Sequence, residues 1–489
     1  MKKNPLYAQV VFPLPVERCF DYVVPESFRG KAFIGTRVRA PFGKSSKVGY
    51  IVGLASKSKL PAKVLKPLSG LLEETPLLDE KHLQLSRELQ AEYLCSQGEA
   101  LEAIFPTSLR VRKRPSPRTE EEVISCETEV SISGPQKILS ETVLQSLREE
   151  KPKHFLLLGE PGSDKTAFIL HLVQQFLERG LSSIVLYPEI ALARSASERF
   201  RRRFGEQVCF FHSQMSPLDR YEVWKSLKEG KHRVVVGVRS AIFSPVQQLG
   251  LIVLCDEHDT SYKQDETPRY HARRAAFMRS ALEKATVILE SETPSLESFT
   301  QALNGRYAFL RLPASEKKGV APKVNIIDMQ EESLHQKRKI LFSKYLERRI
   351  TGVLQEKGQV LLFLNRRGFS TFVHCRKCGT VLRCAACRVP LKYHSEPKRL
   401  ICHYCNLQED PPSICPNCRE NYLTYAGVGT ERLESEAHRI FPGARIVRLD
   451  TDTLRHEGPR GQAAEAFRRK EKDILIGTQM VARENLPEG

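Results

Sequence analysis

Eight of the 13 cysteines fall in four Cys-x-x-Cys pairs: Cys375 with Cys378, Cys384 with Cys387, Cys402 with Cys405, and Cys415 with Cys418. A two-residue spacer lets both thiolates of a knuckle reach one metal ion, and two knuckles complete the tetrahedral four-thiolate set that Zn²⁺ prefers. Eight thiolates therefore predict two zinc ions per chain. Each site would have no open position for water, so its role would be structural rather than catalytic. An iron–sulfur cluster, or cysteines without metal, are the competing readings. Spacing leaves open which knuckles pair. Cys19, Cys95, Cys126, Cys209 and Cys255 are scattered, and the first four read as ordinary buried thiols.

A second constellation lies earlier in the chain. After the apolar run Phe155 to Leu158 comes Gly159-Glu160-Pro161-Gly162-Ser163-Asp164-Lys165-Thr166, then the helical stretch Ala167 to Gly180. Strand, Gly-containing loop, Lys-Thr and helix is the layout of a phosphate-binding loop. Backbone N–H groups and the helix N-terminus cradle phosphates, the lysine reaches the outer ones, and the threonine holds Mg²⁺. Gly159, Gly162, Lys165 and Thr166 are the expected nucleotide-binding residues. Asp164 breaks the layout where a glycine normally precedes the lysine. It adds a Cβ where backbone must approach phosphate and places one negative charge against another.

These groups need elements to hold them. Residues 1–105 begin with short alternating runs, Tyr7 to Phe12, Phe20 to Val24 and Thr36 to Ala40, broken by prolines; they predict a small β-rich domain, followed by a helical stretch from Asp79 to Phe105. Residues 106–134, with Arg110 to Arg118 leading into an acidic polar segment, read as a basic and polar linker. From 135 to 313, apolar runs alternate with helical segments: Phe155–Leu158, Ser183–Tyr187, Val234–Gly237, Leu251–Cys255 and Thr286–Leu289. That alternation predicts an α/β fold with a doubly wound parallel sheet. Val324–Asp328, Val360–Asn365 and Ile446–Asp450 begin a second set of the same kind. The cysteine module at 375–418 interrupts it, dividing 314–374 from 419–489.

Totals bound the function class. With 489 residues and 41% hydrophobic content, the chain can bury several cores, about three domains by length. A net charge of +18 favours a polyanionic partner such as nucleic acid, although a basic housekeeping enzyme with a solvated surface would look the same and charge does not separate DNA from RNA. Neither a secretory signal nor a membrane-spanning stretch is legible, so a cytoplasmic, nucleoid-associated protein without membrane contact is expected.

An ordered series of motifs then narrows the field. Tyr187-Pro188-Glu189-Ile190, His212-Ser213, Gly237-Val238-Arg239-Ser240-Ala241, Asp256-Glu257-His258-Asp259, Ser261-Tyr262-Lys263-Gln264 and Arg269-Tyr270-His271-Ala272-Arg273 are followed by Leu364-Asn365-Arg366-Arg367-Gly368-Phe369, the eight cysteines, Gly429-Thr430-Glu431 and Gly477-Thr478-Gln479-Met480. Over nearly its whole length the chain resembles the bacterial replication-restart helicases, the primosomal protein N′ (PriA) family. The resemblance implies a RecA-like helicase lobe with an incomplete second lobe that carries the inserted two-zinc module. It also implies ATP with Mg²⁺ as substrate, 3′→5′ DNA unwinding, and reloading of the replicative helicase at stalled or branched forks. Branched DNA, other primosome proteins, the helicase loader and single-strand-binding protein would be partners. By the same resemblance the outer knuckles share one zinc (Cys375, Cys378, Cys415, Cys418) and the inner knuckles the other (Cys384, Cys387, Cys402, Cys405). Phe20, Asp21, Gly43 and Lys66 would hold a 3′ DNA end, with a base stacked on Phe20 and the terminal hydroxyl donating to Asp21. Tyr262, Lys263 and Arg269 would contact DNA in the helicase lobe, and Asp256 and Glu257 would be the catalytic carboxylates.

Departures from the family cluster at the chemistry. Its Asp-Glu-Glu-His reads Cys255-Asp256-Glu257-His258, which puts a thiol where Mg²⁺ needs a carboxylate and a shorter Asp where a Glu activates water. Its Gly-Ser-Ala-Thr-Pro reads Glu290-Ser291-Glu292-Thr293-Pro294, Gly-Thr-Arg-Ser reads Gly237-Val238-Arg239-Ser240, and the aromatic of the DNA-sensing loop is Pro268. Arg483 to Gly489 no longer follows the family, so a C-terminally truncated member is expected, without the arginine-finger motif, the C-terminal domain or the winged-helix domain. Two readings follow: an ATP-driven DNA translocase, or a non-catalytic fork-binding scaffold or decayed gene product. Damage at the catalytic motifs favours weak or absent ATPase activity.

Overall fold

In a computed structural model, the described residues are 6–106, 132–148, 154–313 and 323–335, apart from positions 62 and 161, and, with short interruptions, 340–481. The chain divides into two compact units, Met1–Val320 and Ala321–Gly489. Most of the linker expected at 106–134, the Arg366-Arg367-Gly368-Phe369 run, Gly429, Gln479-Met480 and the segment from Arg483 lie outside the described residues.

The first unit opens with β1 (Tyr7–Val11), β2 (Phe20–Val23), β3 (Arg37–Phe42), β4 (Ser45–Ala55) and β5 (Gly70–Leu71). They form an antiparallel sheet in the order β2-β1-β4-β3-β5. In β1 every residue is buried except Gln9. The longest strand, β4, lies between β1 and β3 and was not legible as a strand. Its polar start and its Gly49 and Gly53 weaken the alternating pattern, and pairing on both edges supplies what propensity does not. The expected helical stretch is two helices, α1 (Glu80–Tyr93) and α2 (Gln97–Ile104). Leu94 turns left-handed at φ 50°, and Ser96 and Glu99 restart the chain as a reciprocal capping box.

The helicase-like part follows as α3 (Gly134–Gln145), β6 (His154–Gly159), α4 (Lys165–Glu178), β7 (Ser182–Leu186), α5 (Ile190–Phe204), β8 (Val208–Phe211), α6 (Pro217–Lys228), β9 (Val234–Gly237), β10 (Leu249–Leu254), α7 (Ala272–Glu283), β11 (Thr286–Ser291), α8 (Leu296–Leu303) and β12 (Ala308–Leu312). Its seven strands are all parallel, in the order β12-β6-β11-β10-β7-β9-β8. The interior strands are apolar on both faces because helices cover both, which is why β7 and β10 read as continuous apolar runs. The edge strands β8 and β12 lie beyond the runs legible in sequence. The N-terminal helices dock onto this sheet's helical layer. The Trp224 indole N–H donates to Leu77 O at 3.1 Å, and a His82 ring nitrogen lies 3.1 Å from Phe243 O.

The second unit contains α9 (Met329–His335), α10 (Lys344–Gln355), β13 (Val360–Phe363), the short module strands β14 (His374–Cys375), β15 (Lys392–Ser395), β16 (Lys398–Ile401), β17 (Gln408–Glu409) and β18 (Leu423–Thr424), then α11 (Thr430–Ile440), β19 (Ile446–Leu449), α12 (Gly461–Arg468) and β20 (Ile474–Gly477). Strands β13, β20 and β19 make a parallel sheet with β20 central. One expectation fails. Val324–Asp328 is not a strand: among the described residues no neighbour pairs with it, and Val324 and Ile326 are 78% and 93% exposed. A short apolar run becomes a strand only when a partner takes its backbone groups.

Candidate functional site

The cysteine module folds as two antiparallel scraps of sheet, β14 with β18 and β15 with β16 and β17, that bring distant knuckles together. Cys375, Cys378, Cys415 and Cys418 form one cluster and Cys384, Cys387, Cys402 and Cys405 the other, with all sulfurs of a cluster within 4.8 Å of one another. Cys375 and Cys418 sulfurs are 3.6 Å apart, as are those of Cys378 and Cys415 and of Cys384 and Cys405. Zinc–sulfur bonds of about 2.3 Å in a tetrahedron place sulfurs about 3.8 Å apart, so both clusters fit the ion. Repeated N–H groups turn toward each knuckle: Gly379 N donates to Cys375 O, Arg388 N to Cys384 O, Asn406 N to Cys402 O and Arg419 N to Cys415 O. Arg388, Asn406 and Arg419 take left-handed φ of 59–61° and Gly379 takes φ 73° to make that turn. Of the scattered cysteines, Cys95 and Cys209 are buried as expected, Cys19 departs from that expectation and is exposed just before β2, Cys255 is buried, and Cys126 lies outside the described residues.

At the phosphate loop, β6 delivers Gly159 and α4 begins at Lys165. Gly162 has φ 78°, and Thr166 is half-buried in the first turn. Two donors of this loop are turned inward: Ser163 N donates to Glu160 O at 2.9 Å and Lys165 N to Ser163 O at 2.8 Å. The Asp164 carboxylate caps α4 itself, accepting from Ala167 N at 3.0 Å. The Lys165 ammonium lies 3.1 Å from Glu290 Oε1 and 2.9 Å from Glu292 Oε1. Burial would lower the Lys165 pKa, but the two carboxylates outweigh it and hold the ammonium well above the ordinary lysine value. Glu290, at the end of β11, is buried, and burial raises its carboxyl despite the lysine.

The turn after β10 carries the remaining chemistry. The Cys255 thiol is buried beside the Tyr187 hydroxyl, and burial, followed by the Glu290 charge, pushes it well above the usual thiol range. Asp256 takes φ 50°, its N–H donates to Glu290 Oε2 at 3.2 Å, and burial raises its carboxyl. Glu257 differs from the expectation of a catalytic carboxylate. Its side chain is fully buried, accepting from Arg273 at 2.6 Å, Ser295 N at 2.7 Å and Ser298 Oγ at 2.9 Å. Burial would raise its pKa, but these bonds and the guanidinium hold it below the usual carboxylate range. Tyr262 likewise departs from its expected place on the DNA surface. It is wholly buried, its hydroxyl lying 2.7 Å from Cys255 O and 2.9 Å from Leu186 O with one proton to share between them, so it braces the turn from inside. Lys263 and Arg269 are exposed on the following loop. Arg239, placed in sequence only as part of a motif, pins that loop through Ser261 O at 2.8 Å and through Lys263 O and the Gln264 side chain.

On the N-terminal sheet, Phe20 is half-buried, edge-on to Phe42 at 5.3 Å and Phe12 at 5.7 Å, with the Arg18 guanidinium 5.0 Å from its centroid. Asp21, next on β2, accepts from Ser58 Oγ. Gly43, at φ 60°, makes the two-residue turn that joins Phe42 to Ser45. Lys66 is exposed, and its carbonyl accepts from Val23 N at 3.0 Å at the far end of β2. Phe20 and Asp21 thus lie on the edge strand β2 with Lys66 bonded at its end, while Gly43 lies in the β3–β4 turn.

Residues 9–106 match the PriA 3′DNA-binding domain (3′BD), residues 136–301 the DEAD/DEAH box helicase family, and residues 384–409 the PriA DNA helicase Cys-rich region (CRR) domain. The replication restart protein PriA of Treponema pallidum is 36% identical over 98% of this chain and 72% of its own length. The chain belongs to the PriA family. Its relatives include PriA of Rickettsia conorii, 34% identical over 96% of this chain and 71% of that protein, and PriA of Bacillus subtilis, 40% identical over 72% of this chain but 44% of that protein.

Membership makes zinc and DNA binding the general chemistry of this PriA-family chain, and the thiolate clusters fit zinc. The groups that would take ATP and Mg²⁺ do not fit. A buried, protonated thiol offers no oxygen to Mg²⁺, which takes oxygen ligands, and the ammonium that would meet an outer phosphate already has two carboxylates. Sequence registered Glu290 and Glu292 only as departures from a motif; their position against Lys165 comes from β6 and β11 being neighbours in the sheet. No helix among the described residues is long and apolar enough to cross a membrane.

Proposed function

We propose that this protein is the DNA-gripping component of replication restart, recognising branched DNA that carries a free 3′ end and supporting reloading of the replicative helicase through other primosome proteins. The observation that carries the reading is an aromatic side chain, Phe20, and an acceptor carboxylate, Asp21, at consecutive positions of the edge strand of a sheet that matches the 3′DNA-binding domain. A terminal base can stack on the ring while the 3′-hydroxyl donates to Asp21. Lys66, Lys263 and Arg269 supply exposed positive charge toward the phosphate backbone. The test compares forks ending in a 3′-hydroxyl or a 3′-phosphate. The hydroxyl fork should bind the unmutated protein several-fold tighter, and Asp21→Ala should remove the difference. Equal affinity of the unmutated protein for both forks would overturn the reading.

ATP-driven 3′→5′ unwinding is the second reading, favoured by the retained Lys165 and Thr166 on a helicase-type sheet. The carboxylates on Lys165 and the Cys255 thiol speak against it. DNA-stimulated ATP hydrolysis that Lys165→Ala abolishes would establish this second reading in place of a nucleotide-independent grip.

A further inference from the structure

We propose that Glu290, Glu292 and Asp164 act as the protein's own substitutes for nucleotide phosphates, filling the phosphate loop so that the lobe holds DNA in a single, nucleotide-independent state. The inference rests on the DNA-gripping reading and adds a specific cause for its independence of nucleotide. A phosphate loop binds its ligand with three kinds of donor: a lysine ammonium, backbone N–H groups, and the N-terminus of the following helix. A donor of each kind is engaged internally here. Lys165 lies 3.1 Å from Glu290 and 2.9 Å from Glu292. The N–H groups of Ser163 and Lys165 donate to Glu160 O and Ser163 O. The first turn of α4 is capped by the Asp164 carboxylate through Ala167 N.

Charge strengthens the exclusion. One ammonium faces two carboxylates directly, with Asp256 close behind as the neighbour whose N–H holds Glu290 Oε2 at 3.2 Å. An incoming triphosphate would have to displace these anions from the lysine and then sit beside them, in a partly buried setting where like charges are poorly screened. The arrangement also has a mechanical consequence. Glu290 lies at the end of β11 and receives the N–H of Asp256 on its carboxylate and that of Glu257 on its carbonyl, so the Lys165 contact ties the phosphate loop to the turn after β10. That tie takes the place of the bridge that a nucleotide makes between the same two segments.

The probe is a fluorescent ATP analogue titrated with Mg²⁺ into the full-length, zinc-loaded protein. The unmutated chain should show no saturable binding into the millimolar range. Glu290→Gly with Glu292→Ala should create binding at least roughly tenfold tighter than the unmutated limit, and adding Asp164→Gly should tighten it again. Lys165→Ala introduced into these variants should abolish the gain, showing that the freed ammonium is responsible. Glu292→Ala alone, at the more exposed of the two carboxylates, provides a variant that leaves the buried strand intact and should give a smaller gain. Fork binding measured on the same samples keeps the two readings apart: a protein that fails to grip a 3′-ended fork refutes the DNA reading whatever it does with nucleotide. Saturable, Lys165-dependent binding by the unmutated chain would overturn the inference. Folded variants, judged by fork affinity and melting temperature, that gain nothing would overturn it too.

Discussion

His271 shows how one residue couples the loop after β10 to acidity. It caps α7, its Nδ1 accepting from Arg273 N at 3.2 Å, while its own N–H donates to Tyr93 Oη at 3.1 Å. Burial, with Arg273 and Lys263 as like-charged neighbours, lowers its pKa from 6.5 to about 4. The folded state therefore holds the neutral ring while the unfolded chain takes up a proton below 6.5. This contribution to stability is complete above 6.5, falls as pH drops toward 4, and changes no further below that. Discounted for partial exposure, the loss is on the order of 2 kcal/mol. Melting temperatures measured from pH 7 to 4.5 should fall less steeply for His271→Asn, which keeps a capping side chain, than for the unmutated protein. Parallel slopes would remove the role assigned to His271. Glu257 works at the same scale and with the same sign: its lowered pKa contributes stability that is present above the ordinary carboxylate range and lost in acid.

Among elements, the junction of the N-terminal sheet with its helices rests on a buried ion pair. Arg37 of β3 donates from Nε to Glu73 Oε1 at 2.7 Å and from Nη1 to Pro106 O at 2.8 Å, just beyond α2, and its guanidinium lies 4.7 Å from the Phe105 ring centroid. Both side chains are 1% exposed. Removing one partner leaves the other charge buried and uncompensated, so Arg37→Ala should cost roughly 3–5 kcal/mol. Trp224, the single tryptophan, is buried at the contact between α6 and the segment leading into α1, so its fluorescence will follow the unfolding of this junction in urea. A midpoint shift smaller than about 1 kcal/mol would mean that the pair is structurally incidental. Element by element, sequence was most legible where helices cover both faces of a strand, as for β7 and β10. It was least legible for β4, β8 and β12, which owe their state to neighbouring strands more than to their own residues.

At the scale of the whole molecule, a net charge of +18 and two thiolate clusters set the observable behaviour. DNA affinity should fall linearly on a log–log plot against salt, because each phosphate contact releases counterions. A salt-independent affinity would mean that the positive charge is a solvated surface and no more. Elemental analysis of the purified, reduced protein should find two zinc ions per chain, and Cys384→Ser should lose the inner ion while Cys255→Ser loses none. Because the knuckles join short strands with little apolar core of their own, zinc removal should unfold the module cooperatively.

The sequence by itself determined what depends on local spacing and composition: four metal knuckles, a strand–loop–helix with Lys165 at its head, a parallel α/β lobe, and a motif order specific to one family. Tertiary structure decided the rest, because those properties depend on which segments become neighbours. It grouped the outer and inner knuckles by bringing β14 to β18 and β15 to β16, enclosed Tyr262 and Glu257 within the turn after β10, and left Val324–Asp328 without a partner strand. By pairing β6 with β11 it set Glu290 and Glu292 against Lys165. No local pattern encodes such a meeting, since a charge acquires its partner from the sheet order and not from the residues beside it in the chain.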